Sequence, residues 1–207
     1  LTLAAHVSGV GSTTADSGGE RRMVRIDTVV TRGGDGGETS LGDGARVRKD
    51  APRVVAIGAV DEANAAIGLL RLHASGSEAD AMLSRIQNDL FDLGADLCVP
   101  GEAGARLRLN EAPVLRLEAE AAAMNVTLPK LTSFILPGGT PGAAYAHLAR
   151  TAARHAERTV VALSAEEAVN PLVLRYLNRL SDHLFILARV LNDSGKADVL
   201  WRPGANR

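Results

Sequence analysis

The sequence predicts an all-α protein built as a five-helix antiparallel bundle. Apolar residues recur at steps of three and four in five successive segments, the spacing that puts them on one helical face. Most of those segments open at a capping residue, and two of those caps are followed by proline. Strand-like runs are nearly absent; the β-prone run at 24–30, VRIDTVV, is the exception.

The first helix opens near Pro52 and carries Val54, Ile57, Val60, Ile67 and Leu70 before Gly76 breaks the chain. Ser77 caps the second, whose Leu83, Ile86, Leu90, Leu93 and Leu97 alternate steps of three and four. A loop with Pro100 and Gly101 follows. Asn110 caps the third helix, with Val114, Leu117, Ala121 and Met124 inward. Residues 125–142 hold three prolines and three glycines and read as irregular. Thr140-Pro141 opens the fourth helix, which runs to about Ala168. Asn170-Pro171 opens the fifth, with Leu174, Leu177, Leu184, Leu187 and Leu191 inward; Ser194-Gly195 ends it.

With 207 residues, 46% of them hydrophobic, the chain suffices for one core. Residues 1–22 read as a disordered leader and 23–207 as a single domain. The net charge of −1 gives no global field for nucleic acid or a membrane surface. No apolar run reaches the ~20 residues of a membrane span. The single cysteine, Cys98, excludes an internal disulfide and reads as a buried small hydrophobe. The cytoplasm is the expected location.

Chemistry-bearing residues fall into four groups. Residues 31–40, TRGGDGGETS, hold four glycines among hydroxyl and charged groups. Glycines let successive N–H groups converge on an anion, and Thr31, Arg32, Thr39 and Lys49 add donors and charge. No Gly-Lys-Ser/Thr follows, so a Walker loop is excluded. A flexible linker fits the same composition. Arg150, Arg154 and Arg158 share one face of the fourth helix, where like charges repel, and Glu157 is placed to neutralise Arg154. Asn178 and Asp182 interrupt the apolar fifth helix. They would pair with that stripe, line a cleft beside it, or glue helices together. His183 faces out of the seam. Asp61-Glu62 with Asn64 form a similar polar group on the first helix. Phe134-Ile-Leu-Pro-Gly-Gly-Thr140 places apolar residues in a loop, as a core plug or as a wall for a large apolar ligand. No Glu-x-x-His, His-Glu-x-x-His or Gly-x-Ser-x-Gly occurs, so di-iron, zinc-protease and serine-hydrolase chemistry lack their motifs.

Together, Thr31-Arg-Gly-Gly-Asp-Gly-Gly37 with Lys49-Asp50, Val60-Asp-Glu-Ala-Asn64, Phe134-Ile-Leu-Pro-Gly-Gly139, Arg154-His-Ala-Glu-Arg158 and Asn178-Arg-Leu-Ser-Asp182 resemble the PduO-type ATP:cob(I)alamin adenosyltransferases. The resemblance runs from about Ile26 to Trp201. It implies a ferritin-like, cobalamin-adenosyltransferase-like bundle that assembles as a homotrimer with active sites between subunits. It implies transfer of the 5′-deoxyadenosyl group of ATP to the cobalt of cob(I)alamin, with release of triphosphate and assistance from Mg²⁺.

By that resemblance, residues 23–50 form an ATP-binding segment. Thr31, Arg32, Gly33, Gly34, Thr39 and Lys49 match nucleotide contacts, as do Arg154, His155, Glu157, Arg158 and Asn178. Arg154 would hold the triphosphate, and Glu157 is the candidate Mg²⁺ ligand. Asp61 and Arg150 match a pair that bridges subunits. Phe134 matches the aromatic under the cobalt, and Asp182 falls with the cobalamin contacts. His155 stands where the family commonly has arginine, which removes a fixed charge. Implied partners are a reductase and an adenosylcobalamin-dependent mutase or dehydratase. Two rival classes remain: a cofactor carrier that binds ATP with little turnover, and a structural oligomer with a solvated arginine stripe.

Overall fold

The computed structural model of the protein describes residues 29–101 and 106–207. The leader at 1–22 and most of the β-prone run at 24–30 lie outside the described residues; Val29 and Val30 are exposed and belong to no strand.

Five helices form the body: α1 (Pro52–Arg71), α2 (Glu78–Leu97), α3 (Glu111–Val126), α4 (Pro141–Ser164) and α5 (Pro171–Leu191). The expected caps are all made. The side chains of Ser77, Asn110, Thr140 and Asn170 accept from the N–H of Asp80, Ala112, Ala143 and Leu172, each satisfying a donor the helix cannot. The fourth helix stops at Ser164 rather than Ala168. The chain turns there, and Glu167 and the Ala168 carbonyl meet the buried Arg53 at the start of α1.

Packing follows the order α2–α1–α4–α5–α3. Leu70, Leu83, Leu90, Leu117, Leu163, Leu177 and Leu180 are fully buried between the helices, with Ala146, Ala149, Ala153 and Ala156 allowing α4 to approach closely. Ion pairs between α2 and α3 close the ring. Adjacent helices run antiparallel except α3 and α5, whose contacts Arg175–Glu111 and Arg179–Glu118 advance in the same direction. Five elements in a ring cannot all alternate.

The third helix buries little apolar surface, chiefly Val114 and Leu117, and is held by polar contacts instead. Asp89 accepts from Arg116 and from the buried Tyr176 hydroxyl, the latter at 2.9 Å. Glu120 accepts from Arg85 at 2.7 Å and from His183 Nε2 at 3.0 Å. His183 is therefore not turned out of the seam: it is fully buried, because α3 supplies a carboxylate for it. Burial pushes the Glu120 carboxyl up, but the His183 and Arg85 hydrogen bonds outweigh it and hold it below its ordinary value of 4.5. A lowered folded-state pKa stabilises above the unfolded pKa, and that contribution is lost as pH falls through the folded value. Urea midpoints from pH 6 to about pH 3 should fall less steeply for Glu120→Gln than for the parent; parallel curves would remove Glu120 from acid unfolding.

The expected scarcity of strands needs one addition. Residues 38–48 form a hairpin of β1 (Glu38–Ser40) and β2 (Arg46–Arg48), pairing Thr39 with Val47. It is docked on the bundle by the buried Leu41 and by the Gly42 N–H, which donates to the Cys98 carbonyl at 2.9 Å. A Cβ at Gly42 would meet a Val99 methyl at 2.8 Å, so a side chain there would have to displace Val99. Cys98 is buried as expected, and burial raises its thiol pKa. No helix among the described residues is long and apolar enough to cross a membrane.

Candidate active site

The glycine segment folds as a turn at the base of the hairpin. Gly37 N–H donates to the Gly34 carbonyl at 3.2 Å, Lys49 N–H to the Gly37 carbonyl at 2.9 Å, and Arg46 Nη2 to the Gly33 carbonyl at 2.9 Å. The Lys49 ammonium folds back over Gly34, about 3.0 Å from where a Cβ would stand. Arg32 adopts φ 58°, a left-handed conformation that costs an L-residue about 1–2 kcal/mol. Thr31, Arg32, Gly33, Gly34 and Lys49 thus converge on one turn, while Thr39 sits half-buried in β1. Arg46 was not singled out in the sequence, because its tie to Gly33 spans thirteen residues.

The arginine stripe lies along α4. Arg150, Arg154 and Arg158 span about 12 Å at 1.5 Å per residue. Arg154 and Arg158 are exposed and make no ion pair among the described residues. Glu157 does not neutralise Arg154 as its spacing predicts. Its Oε1 accepts from Asn178 Nδ2 at 2.8 Å, since α5 offers a closer donor. Asn178 Oδ1 in turn accepts from Arg179, which also approaches Asp182 at 3.6 Å. Asn178 thus bonds Glu157 and Arg179, and Asp182 approaches Arg179; neither hydrogen-bonds or pairs with the stripe arginines. His155 is exposed beside Arg154.

Arg150 differs from its neighbours. It is half-buried, and burial followed by the charge of Arg154 lowers its pKa. Its Nε donates weakly to His147 Nδ1 at 3.4 Å. His147 is buried, and burial with the Arg150 charge depresses its pKa. Both residues line a cleft of about 720 Å³ whose other walls include Leu131, Phe134, Phe185 and Trp201. Phe134 is 77% exposed, so it is not a core plug. Its ring lies 5.9 Å from that of Trp201. Phe185 and Trp201 were missed in the sequence. Trp201 is the only tryptophan and ends a short apolar run beyond the last helix, which was the available signal.

Asp61 lies on the exposed side of α1. Arg53 meets Glu167, and His73 stacks on Tyr145, so Asp61 stands roughly level with Arg158 and about 12 Å along the axis from Arg150. Asp61 and Arg150 do not pair within one chain.

The arginine stripe and the aromatic cleft meet at Arg150, whereas the glycine turn docks on Cys98 at the end of α2; the first two suit an anionic ligand beside a large apolar one. Residues 29–191 match the family described as cobalamin adenosyltransferase. The chain belongs to the cobalamin adenosyltransferase family. It is accordingly a transferase. It is 51% identical over 181 residues to the cobalamin adenosyltransferase of Cupriavidus metallidurans, covering 86% of this chain and 96% of that one. It is 48% identical over 190 residues to the corrinoid adenosyltransferase of Mycobacterium tuberculosis strain H37Rv, covering 89% and 97%. Among solved structures, it is similar to a variant PduO-type ATP:corrinoid adenosyltransferase from Lactobacillus reuteri complexed with cobalamin and ATP. That match has a TM-score of 0.80 and 36% identity and covers 85% of this chain and 97% of the other. Two features of this cobalamin adenosyltransferase depart from the local rules of its sequence, the Glu157 pairing and the buried His183. Neither disturbs the stripe or the cleft.

Proposed function

We infer that the protein transfers the 5′-deoxyadenosyl group of ATP to the cobalt of cob(I)alamin, forming adenosylcobalamin and releasing triphosphate. The observation that carries this reading is Arg150: one side chain belongs both to the arginine stripe and to the aromatic cleft. A nucleotide along the stripe and a corrinoid in the cleft therefore meet there. The Co(I) electron pair attacks the ribose C5′, the C5′–O bond breaks, and triphosphate leaves with that bond's pair. Co(I) is itself the nucleophile, which accords with a site rich in cations. Arg154, Arg158, Lys49 and the glycine-turn amides oppose the charge growing on the leaving group. Holding two large substrates face to face is catalysis by positioning.

Mg²⁺ fits as an ion carried on the phosphates. Among the described residues no group of three or more His, Cys, Asp or Glu side chains could cage a metal. Glu157 supplies one carboxylate beside the stripe, and Mg²⁺ commonly takes one or two carboxylates plus substrate phosphates. When bound it would screen the triphosphate charge. The exposed and unpaired Asp61, far from Arg150 in its own chain, supports a homotrimer in which the two meet across a subunit boundary. His155 and Asn178 flank the nucleotide, and Asp182 flanks the corrinoid. A cytoplasmic setting with a one-electron reductase upstream and a B12-dependent mutase or dehydratase downstream fits the reaction.

Mixing the protein anaerobically with Mg-ATP and chemically reduced cob(I)alamin tests the reading. ATP-dependent loss of the Co(I) absorbance over many turnovers is expected. ATP binding without conversion would favour a carrier instead. Phe134 has a separate role before transfer. An apolar ring under the cobalt expels the lower axial ligand, lowers the orbital that accepts the electron and eases Co(II) reduction. Phe134→Ala should still bind cob(II)alamin but fail to form the four-coordinate state seen by EPR or magnetic circular dichroism. An unchanged spectrum would refute the wedge.

A further inference from the structure

We propose that Arg189, Asn192 and Asp198 are positioning residues for Phe134. They form a buried polar hub at the C-terminal end of α5 that sets the wedge's place under the cobalt. The proposal rests on the reading of Phe134 given above and extends it to residues with no place in the cleft.

The segment carrying Phe134 has no regular structure of its own, so its position is set by what holds its ends. Both ends are held by the hub. At the start, Arg189 Nη2 donates to the Pro129 carbonyl at 2.7 Å. At the finish, Asn192 Oδ1 accepts from the Thr140 N–H at 2.9 Å, and Asn192 Nδ2 donates to the Gly138 carbonyl at 3.2 Å. Thr140 Oγ1 adds a bond to the Leu191 carbonyl at 2.8 Å. Gly139 has φ +100°, and a Cβ there would stand 2.2 Å from Asn192 Oδ1, so the loop lies directly against the amide.

Asp198 joins these anchors. Its Oδ2 pairs with Arg189 Nε at 2.9 Å, with both side chains 5% exposed or less. Its Oδ1 accepts from Asn192 Nδ2 at 3.3 Å. Immediately after Asp198 the chain runs along the middle of the wedge loop. Leu136 N–H donates to the Val199 carbonyl at 2.8 Å, and Trp201 N–H donates to the Phe134 carbonyl at 2.8 Å. Ser133 Oγ donates to the Trp201 carbonyl at 2.8 Å. One buried ion pair and one buried amide therefore fix the start, middle and finish of the loop. A buried charge pair is a poor stabiliser compared with apolar packing, and specifying one geometry is among its attested uses.

Three variants test this beside Phe134→Ala: Asn192→Ala, the paired replacement Arg189→Met with Asp198→Leu, and Gly139→Ala. The paired replacement keeps the volume apolar and leaves no lone buried charge. Gly139→Ala removes neither partner of the ion pair; it strains the loop backbone at φ +100° and displaces the Asn192 amide, so it perturbs the anchor without leaving a lone buried charge. Each is assayed with Mg-ATP and pre-reduced cob(I)alamin, then with cob(II)alamin and a reduced flavin as electron donor. The four-coordinate Co(II) signal and ATP affinity are also measured.

The hub variants should keep ATP affinity and Co(I) turnover within about twofold while Co(II)-coupled turnover falls about 10²-fold, the scale of a misplacement of about 1 Å. The four-coordinate signal should fall as it does for Phe134→Ala. Hub variants that keep a parental signal while Phe134→Ala loses it would overturn the proposal and leave the wedge intact. A parental signal in Phe134→Ala itself would overturn the wedge, and the hub with it.

Discussion

Replacing Arg154 with alanine is expected to lower kcat for adenosyl transfer by about 10²–10³-fold or more, the cost of removing one preorganised group facing developing charge. Arg154 occupies the middle of the stripe, four residues from Arg150 and four from Arg158. The arrangement carries its own sign of purpose. Glu157, the carboxylate placed to relieve the repulsion, is taken by Asn178. Arg150 is already held below its ordinary pKa by burial and by the Arg154 charge. A stripe without carboxylate partners is what the proposed triphosphate site requires. Arg154 is exposed, so the bundle should lose no more than about 0.5 kcal/mol in urea unfolding. Relief of like-charge repulsion works in the stabilising direction. Arg154→Lys should recover only part of the rate, because a point charge cannot grip phosphate in a bidentate way. Parental turnover in Arg154→Ala would remove this residue from the mechanism.

The bundle was legible because its signals are local. Steps of three and four located every helix, and Ser77, Asn110, Thr140 and Asn170 marked four of the five starts. What was not legible depends on partners distant in sequence. The β1–β2 hairpin has three-residue strands, too short to show alternation, and its place is set by Leu41 and Cys98. His183 sits beside Asp182 and looks solvent-facing until α3 brings Glu120 against it. Glu157 obeys the i+3 rule in sequence and breaks it in space, because a charge-assisted bond to Asn178 across α4 and α5 needs no exposed arginine held still. The site divides in the same way. The glycine turn and the stripe are contiguous motifs. The cleft draws Phe134, Phe185 and Trp201 from three separate segments, so only Phe134 stood out in the sequence.

Asp96→Ala is expected to destabilise the protein by about 3–5 kcal/mol, the cost of removing one partner from a buried ion pair. That is a large share of a typical total of about 5–15 kcal/mol. Asp96 is 3% exposed at the end of α2. Its two oxygens accept from Arg108 Nη1 at 2.8 Å, from the Leu109 N–H at 2.8 Å and from Asn170 Nδ2 at 2.7 Å. One carboxylate thus ties the end of α2 to the approach to α3 and to the cap of α5. Alanine would strand the Leu109 N–H and leave Arg108 Nη1 and Asn170 Nδ2 with only the Asp96 and Leu109 carbonyls. Asparagine would keep the shape but turn its own N–H groups toward at least one of these donors, so Asp96→Asn should recover little. The damage should also reach the nucleotide end selectively. Arg53 donates to the Leu97 carbonyl and Gly42 to the Cys98 carbonyl, so the glycine hairpin docks on the turn that Asp96 holds. The aromatic cleft is built at the other end of α4 and α5. Below the melting transition, Asp96→Ala should weaken ATP binding several-fold more than cob(II)alamin binding. Urea unfolding and two ligand titrations check both halves. A loss under about 1 kcal/mol would mean that water and the remaining carbonyls satisfy the freed donors, and equal weakening of both ligands would mean that the two ends of the bundle do not yield independently.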